Sequence, residues 1–251
     1  MSALVLGLLT VAALGPAAPW LVVIDPGHGG VHDGAVGPGG TKEKDLALQI
    51  GKQVAALLEA QLHAAALLTR EGDRDVELQD RVAFANRKRA SLFVSIHLNS
   101  MPTDESRKLV HGIETYFLSA DPSDASADAQ ASRENLDYLR TRSPGKRRDV
   151  DLILNDLALN ADQAESSRLA YAIHERVVAA SGDADRGIHQ APFFVLTGAR
   201  MPAVLLELGF VSNPEEEQRL RSPAYQHVLA QAIVDGIKAY RLGAPGTRAS
   251  E

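Results

Sequence analysis

Short apolar runs alternate along this chain with longer stretches that repeat their apolar residues every three or four positions, and that alternation leaves few folds open. Residues 21–24 are continuously apolar and stop at Asp25-Pro26-Gly27, the pattern of a buried strand ended by turn residues. Leu46, Ile50, Val54, Leu57, Leu58 and Leu62 then recur at helical steps, as expected of an amphipathic helix lying on a sheet. Residues 65–69 read as the next strand, and residues 78–90 as a helix whose turns are marked by Val82, Ala85 and Arg89. Residues 92–97 and 113–118 read as strands again. This order predicts right-handed crossovers and an α/β fold: an open, mainly parallel sheet flanked by helices on both faces.

Residues 119–165 break the rhythm. They open on Asp121-Pro122-Ser123-Asp124 and include Ser143-Pro144-Gly145, so they are expected to form a polar insertion with its own helix. A second helical stretch, with Leu152, Leu159, Leu169, Ile173 and Val177 on recurring turns, leads back to the core. Residues 193–196 and 203–208 are expected as strands. Asn213-Pro214 and Ser222-Pro223 each open a helix with an N-cap and a proline, and Gly243 closes the last one. The acids at 215–217 read as a first helical turn favoured by its dipole.

With 251 residues and no linker dividing them into comparable halves, one domain is expected over 20–243, followed by a disordered tail at 244–251. Residues 3–14 are an uncharged apolar run followed by Gly15-Pro16-Ala17-Ala18, which suits a signal peptide over 1–18 and a periplasmic or otherwise exported protein. The run is too short to span a bilayer, so no membrane span is expected in the mature chain. It lacks a preceding Lys or Arg, and a buried first element is the competing reading. Lys plus Arg number 26 against 32 Asp plus Glu, a net charge of −6, so the overall field gives no attraction for nucleic acid. The absence of cysteine removes disulfides and thiolate chemistry together, and any metal site must be built from His and carboxylates.

In open α/β sheets ligands sit beyond the carboxyl ends of the strands. Those ends carry Asp25 and His28, then Ser95, His97 and Asn99, then Glu207. His28 stands among Gly27, Gly29 and Gly30, where backbone and substrate can approach the ring, while His97 ends an apolar strand that holds it rigidly. Glu43 lies where the glycine-rich loop, residues 27–40, runs into a helix. Two imidazoles and one carboxylate make a three-ligand zinc site with a position left for water. His32, four residues from His28, and Asn99, beside His97, are candidates to steady the ligands. His111 lies just before a strand and is a weaker candidate to face the site. His63, His174, His189 and His227 read as structural or surface residues. Glu207 closes an apolar run where an unpartnered carboxylate is costly, which suits a base that takes a proton from the attacking water. A fourth metal ligand is the competing reading for Glu207.

DPGHGG at residues 25–30, GAVGPGGTKEKDLAL at 34–48, TREGDRDVELQDRVAFAN at 69–86, LFVSIHLNS at 92–100 and PAVLLELGFVSN at 202–213 together resemble the zinc-dependent N-acetylmuramoyl-L-alanine amidases of the Amidase_3 type. The resemblance implies a twisted mixed sheet, Zn2+ as cofactor and peptidoglycan as substrate, with hydrolysis of the amide between N-acetylmuramic acid and L-alanine in cell-wall remodelling or daughter-cell separation. It assigns the metal to His28, Glu43 and His97 and the catalytic carboxylate to Glu207. In cell-division members of the family a helix in the insertion lies over the active site until an activator with a LytM-type domain removes it. Ala131-Ser132-Arg133-Glu134-Asn135 is similar to that stretch and nominates Glu134 as a zinc-blocking ligand, although the double glycine that often follows is absent. His32-Asp33 stands where the family commonly has Asp alone. No separate targeting module is visible outside 20–243, so affinity for the cell wall is expected from the domain or a partner. Two other classes share these features: a zinc peptidase or deacetylase acting on another substrate, and a non-catalytic peptidoglycan-binding protein that keeps the fold as a scaffold.

Overall fold

The apolar run at 21–24 has no polar face, and in the computed structural model the strand it forms is covered on both sides. The structure describes residues 20–140 and 163–243. The strands are β1 (Leu21–Pro26), β2 (Ala65–Leu68), β3 (Leu92–Asn99), β4 (Ile113–Leu118), β5 (Asp185–Ala191) and β6 (Ala203–Phe210). They form one sheet in the order β2-β1-β3-β6-β4-β5. The pairs β1–β2, β1–β3, β3–β6 and β4–β5 are parallel and β4–β6 is antiparallel, so the sheet is the expected mainly parallel, mixed one.

Helices α1 (Glu43–Leu62), α5 (Gln163–Ser181) and α7 (Pro223–Arg241) cover one face. Val22, Ile24, Val94, Ile96, Val204 and Leu206 point into that layer against Ile50, Ile173 and Ile233. The alternate residues Val23, Phe93 and Leu205 turn to the other face, where they meet α2 (Leu78–Lys88) and α4 (Ala125–Arg140). Strand periodicity of two, applied to runs apolar on both faces, therefore yields two cores. The short α3 (Asp104–Leu109) and α6 (Pro214–Leu220) complete the described helices. No helix among the described residues is long and apolar enough to cross a membrane.

The insertion does carry its own helix. α4 packs by Ala127 and Ala131, both fully buried, whose small side chains let it lie close to the sheet edge. Asn135 fastens it by donating to Pro192 O at 2.9 Å and accepting from Phe194 N at 2.9 Å. Leu169, Ile173 and Val177 are buried on α5 as expected, whereas Leu152, Leu159, residues 143–148, the expected signal peptide and the expected tail lie outside the described residues.

Two expectations are corrected. Residues 193–196 form a 3-10 turn (Phe194–Leu196), and the strand of that region is β5, which starts eight residues earlier in a stretch without an apolar run. β5 is an edge strand whose residues are mostly half-exposed, so it lacks the hydrophobic signal of a central strand, and Pro192 follows it directly. His189 accordingly lies in β5 rather than in a loop. The acids of the α6 first turn do more than favour its dipole: Glu216 accepts from Phe210 N and Gly112 N, and Glu217 accepts from Gly39 N and Thr41 N, tying loops to the helix.

Candidate metal centre and active site

The strand order reverses between β1 and β3, and His28 and His97 stand at that point, where open α/β sheets form their ligand crevice. His28 has a left-handed backbone, φ 56°, uncommon for a residue with a side chain. Two buried arginines hold the loop in this conformation. Arg70 donates to Pro26 O at 3.0 Å and to Gly27 O and Lys44 O at 2.7 Å. Arg81 donates to Pro26 O at 2.8 Å and to His28 O at 2.9 Å, and is paired with fully buried Asp25 at 2.9 Å. Thr69 and Ser95 donate to the remaining positions of Asp25. Gly27 is required by packing: a Cβ there would stand 2.5 Å from the His97 ring.

Glu43 opens α1 and is anchored through both oxygens. Oε2 accepts from Ala35 N at 2.8 Å and Oε1 from Leu98 N at 3.0 Å. Oε1 then lies 3.1 Å from His28 Nε2 and 3.0 Å from His97 Nδ1. A side chain at Gly34, where φ is +68°, would strike this carboxylate at 2.5 Å. From α4, Glu134 Oε2 reaches to 3.3 Å from His28 Nε2 and 3.1 Å from His97 Nδ1. One ligand atom from each of His28, Glu43, His97 and Glu134 lies within 4.8 Å of the others.

This donor set fits a tetrahedral cation. Bonds of about 2.0–2.1 Å to nitrogen and oxygen give edges of about 3.3 Å, close to the spacings found. Glu134 Oε2, the oxygen turned to both rings, is buried without a hydrogen-bond partner. Charge tells the same story. Burial opposes ionisation of Glu43, yet the His28 and His97 imidazoles outweigh it and hold the carboxyl well below its usual range. Burial also opposes ionisation of Glu134, but His97 and His28 bring it down to about 2. For His97 burial works against charge, and Glu134 and Glu43 nevertheless lift it to about 10. The pair of carboxylates thus demands positive charge at the point where the four groups converge.

Glu207 stands beside this group, aligned with His97 in the β3–β6 pairing and with Glu114 in the β4–β6 pairing. It is fully buried, and burial together with the Glu134 carboxylate pushes its pKa well above the usual carboxylate range. Oε1 accepts from Gln130 Nε2 of α4 at 2.5 Å, and Oε2 has no hydrogen-bond partner. A cleft of about 350 Å³ opens next to the cluster, lined by His28, Glu43, Asn99, Ser100, Arg133 and Glu134 among others.

The structure brings together His28, Glu43, His97, Glu134 and Glu207. His32 also borders the cleft, but its ring faces Asp75 at 3.6 Å. Asn99 makes its hydrogen bonds to Glu114, Ser100 and Arg133 and not to the imidazoles or Glu43. His111 is exposed ahead of β4, and His174 is buried between Thr115 and Asp185. Gln130 and Arg133 were not singled out by the sequence. Their spacing of four and one from Glu134, which puts Gln130 on the same helix face, is the signal that points to them.

The Amidase_3 profile, N-acetylmuramoyl-L-alanine amidase, matches residues 22–239. The chain is 34% identical over 224 residues to N-acetylmuramoyl-L-alanine amidase AmiC of Escherichia coli O6:H1, covering 88% of this chain and 53% of that protein. It is equally 34% identical to AmiA of Escherichia coli K12, covering 88% of this chain and 75% of that one. The chain therefore spans about half the length of the first relative and three quarters of the second. Among solved structures it is similar to N-acetylmuramoyl-L-alanine amidase AmiC2 of Nostoc punctiforme, with a TM-score of 0.67, 35% identity, and coverage of 89% of this chain and 97% of that one. The amidase from Clostridium difficile 630 gives a TM-score of 0.68 at 30% identity over 89% of this chain and 97% of that one. With its sheet order, its converging imidazoles and carboxylates and these matches in agreement, the chain belongs to the N-acetylmuramoyl-L-alanine amidase family, Amidase_3.

Proposed function

We propose that this chain hydrolyses the amide between N-acetylmuramic acid and L-alanine in peptidoglycan, with Zn2+ held by His28, Glu43 and His97. The observation that carries the reading is the convergence of these three side chains beside a buried, raised-pKa carboxylate, Glu207, at the mouth of a cleft. A bound zinc ion supplies Lewis acidity, polarising the scissile carbonyl and acidifying water. The rest is the work of the chain. Glu43, fixed by the backbone of Ala35 and Leu98, keeps both imidazoles oriented. Glu207 takes a proton from the attacking water and returns it to the departing L-alanine nitrogen, a transfer suited to a carboxyl whose pKa is lifted by burial.

In the same reading the described conformation is a resting one. Glu134 fills the position that water needs, and α4 must move before substrate enters. A LytM-type activator protein, export to the periplasm and a part in cell division go with this reading. The test is mass spectrometry of purified muropeptides incubated with the protein, with and without chelator. Intact stem peptides freed from glycan, and their loss on chelation, are the expected result. Release of shortened peptides would favour a peptidase, and no product from either the wild-type chain or Glu134→Ala would favour the non-catalytic reading.

A further inference from the structure

We infer that Asn99 accepts a hydrogen bond from a stem-peptide N–H, the one following L-alanine, and so reads the peptide side of the substrate. The inference rests on the amidase reading above and adds a recognition residue to it. Asn99 ends β3, two residues after His97, with the irregular β3–β6 pairing falling between them. The pairing advances two residues in β3 against three in β6, so the extra residue lies in β6 and β3 keeps its strand spacing.

An amide side chain offers a donor and an acceptor, and its role depends on which end faces the ligand. Here the orientation is determined. Glu114 is buried, ion-paired with Arg186 at 2.7 Å, and accepts from Tyr116 Oη at 2.9 Å. Its Oε2 is an acceptor, so the group of Asn99 that lies 2.7 Å from it is the NH2, and Oδ1 is turned the other way. Ser100 N donates to that oxygen at 2.7 Å, leaving one lone pair. What faces the second lone pair is a donor from α4: an Arg133 N–H at 3.5 Å, a long contact. Helix α4 thus presents a carboxylate to the metal ligands, an amide N–H to Glu207 and a guanidinium N–H to Asn99. When α4 is displaced, Asn99 keeps an oriented acceptor in the wall of the cleft.

The spacing selects the donor. Asn99 lies two positions beyond His97, about 6.7 Å along β3. With the scissile amide nitrogen at the metal ligands, the N–H that follows L-alanine lies one residue, roughly 3.5 Å, further on, and a hydrogen bond of about 2.9 Å spans the rest.

The test compares two soluble substrates: a muramyl peptide and its depsipeptide analogue, in which the second stem residue is replaced by the corresponding hydroxy acid so that an ester oxygen stands where the N–H was. Both are assayed with the full zinc-loaded chain carrying Glu134→Ala, with and without Asn99→Ala. With Asn99 present, kcat/KM is expected to be about tenfold lower for the ester, as for loss of one neutral hydrogen bond. With Asn99→Ala the amide falls by a similar factor and the ratio between substrates collapses to about one. A misfolded fraction lowers both rates together and cancels in the ratio, and Asn99→Ser, with a hydroxyl too short to bridge the gap, is expected to behave alike. A ratio that stays near ten in both variants would overturn the inference by showing that another acceptor reads the N–H, and a ratio of one in the parent would overturn it by showing that the N–H is not read. Failure of the parent and the wild type to cleave either substrate would instead overturn the amidase reading, and this inference with it.

Discussion

Gln130 Nε2 donates to Glu207 Oε1 across 2.5 Å, so the helix that brings Glu134 to His28 and His97 also grips the buried carboxylate beside them. The two contacts are one helical turn apart on α4 and engage different chemical groups. Gln130 Nε2 also lies 3.3 Å from Glu134 Oε1, so the two contacts support each other. Basal hydrolysis of dye-labelled sacculi is expected to rise about tenfold in Glu134→Ala, and further in Gln130→Ala/Glu134→Ala, because an ordinary hydrogen bond is worth about 0.5–1.5 kcal/mol. A double variant no faster than Glu134→Ala would show that the Gln130 contact does not hold the helix.

Glu207→Gln keeps size and hydrogen-bonding capacity but removes the transferable proton. Turnover should fall by about a hundredfold or more, the usual contribution of a general acid–base, while bound zinc per chain is unchanged by elemental analysis. Loss of zinc together with activity would make Glu207 a ligand, the alternative that the sequence left open.

Arg81 ties the His28 carbonyl to buried Asp25, and its truncation leaves that carboxylate short of its charged partner. Breaking a buried pair from one side costs about 3–5 kcal/mol. Arg81→Ala should therefore show a strongly lowered urea midpoint, and weakened zinc binding in titrations on whatever fraction folds. An unchanged midpoint would mean that Thr69 and Ser95 alone satisfy Asp25.

Glu216 supplies a pH dependence away from the active site. Burial pushes its carboxyl up to about 7 from an ordinary 4.5. The folded chain holds a proton that the unfolded chain has released, so this stabilising contribution is complete below about pH 4.5 and is lost as pH rises through 7. The urea midpoint should decline across that window, by an amount on the order of 2 kcal/mol in stability, and Glu216→Gln should flatten the decline. A wild-type midpoint that rises from pH 5 to pH 8, with the same rise in Glu216→Gln, would contradict the assignment.

The parts of the fold that were legible are those where burial leaves a local signature. β1, β3 and β6 are covered on both faces and therefore appear as largely apolar runs, with Ser95 interrupting β3, and α1 carries its buried stripe at helical spacing. β5 was missed because an edge strand needs no such run. The bland reading of the acids at 215–217 was incomplete because the N–H groups that Glu216 and Glu217 accept from belong to loops as distant in sequence as Gly112 and Gly39.

Within the site, His28, Glu43, His97 and Glu207 could be named from residue type and strand-end position, since rigid strands and a glycine-rich loop constrain where such side chains go. The orientation of Asn99 belongs to a different class of fact. It depends on Glu114, Tyr116 and Arg186, and on an antiparallel pairing between β4 and β6 that no local pattern encodes. The grip of Gln130 on Glu207 likewise exists only because α4 docks by Ala127 and Ala131. The amino-acid order alone determined the central strands and their covering helices and nominated the side chains of the candidate site, because those follow from periodicity and side-chain type. Only the tertiary structure decided which lone pair faces which donor, because hydrogen bonds are short and directional and are set by contacts between segments far apart in the chain.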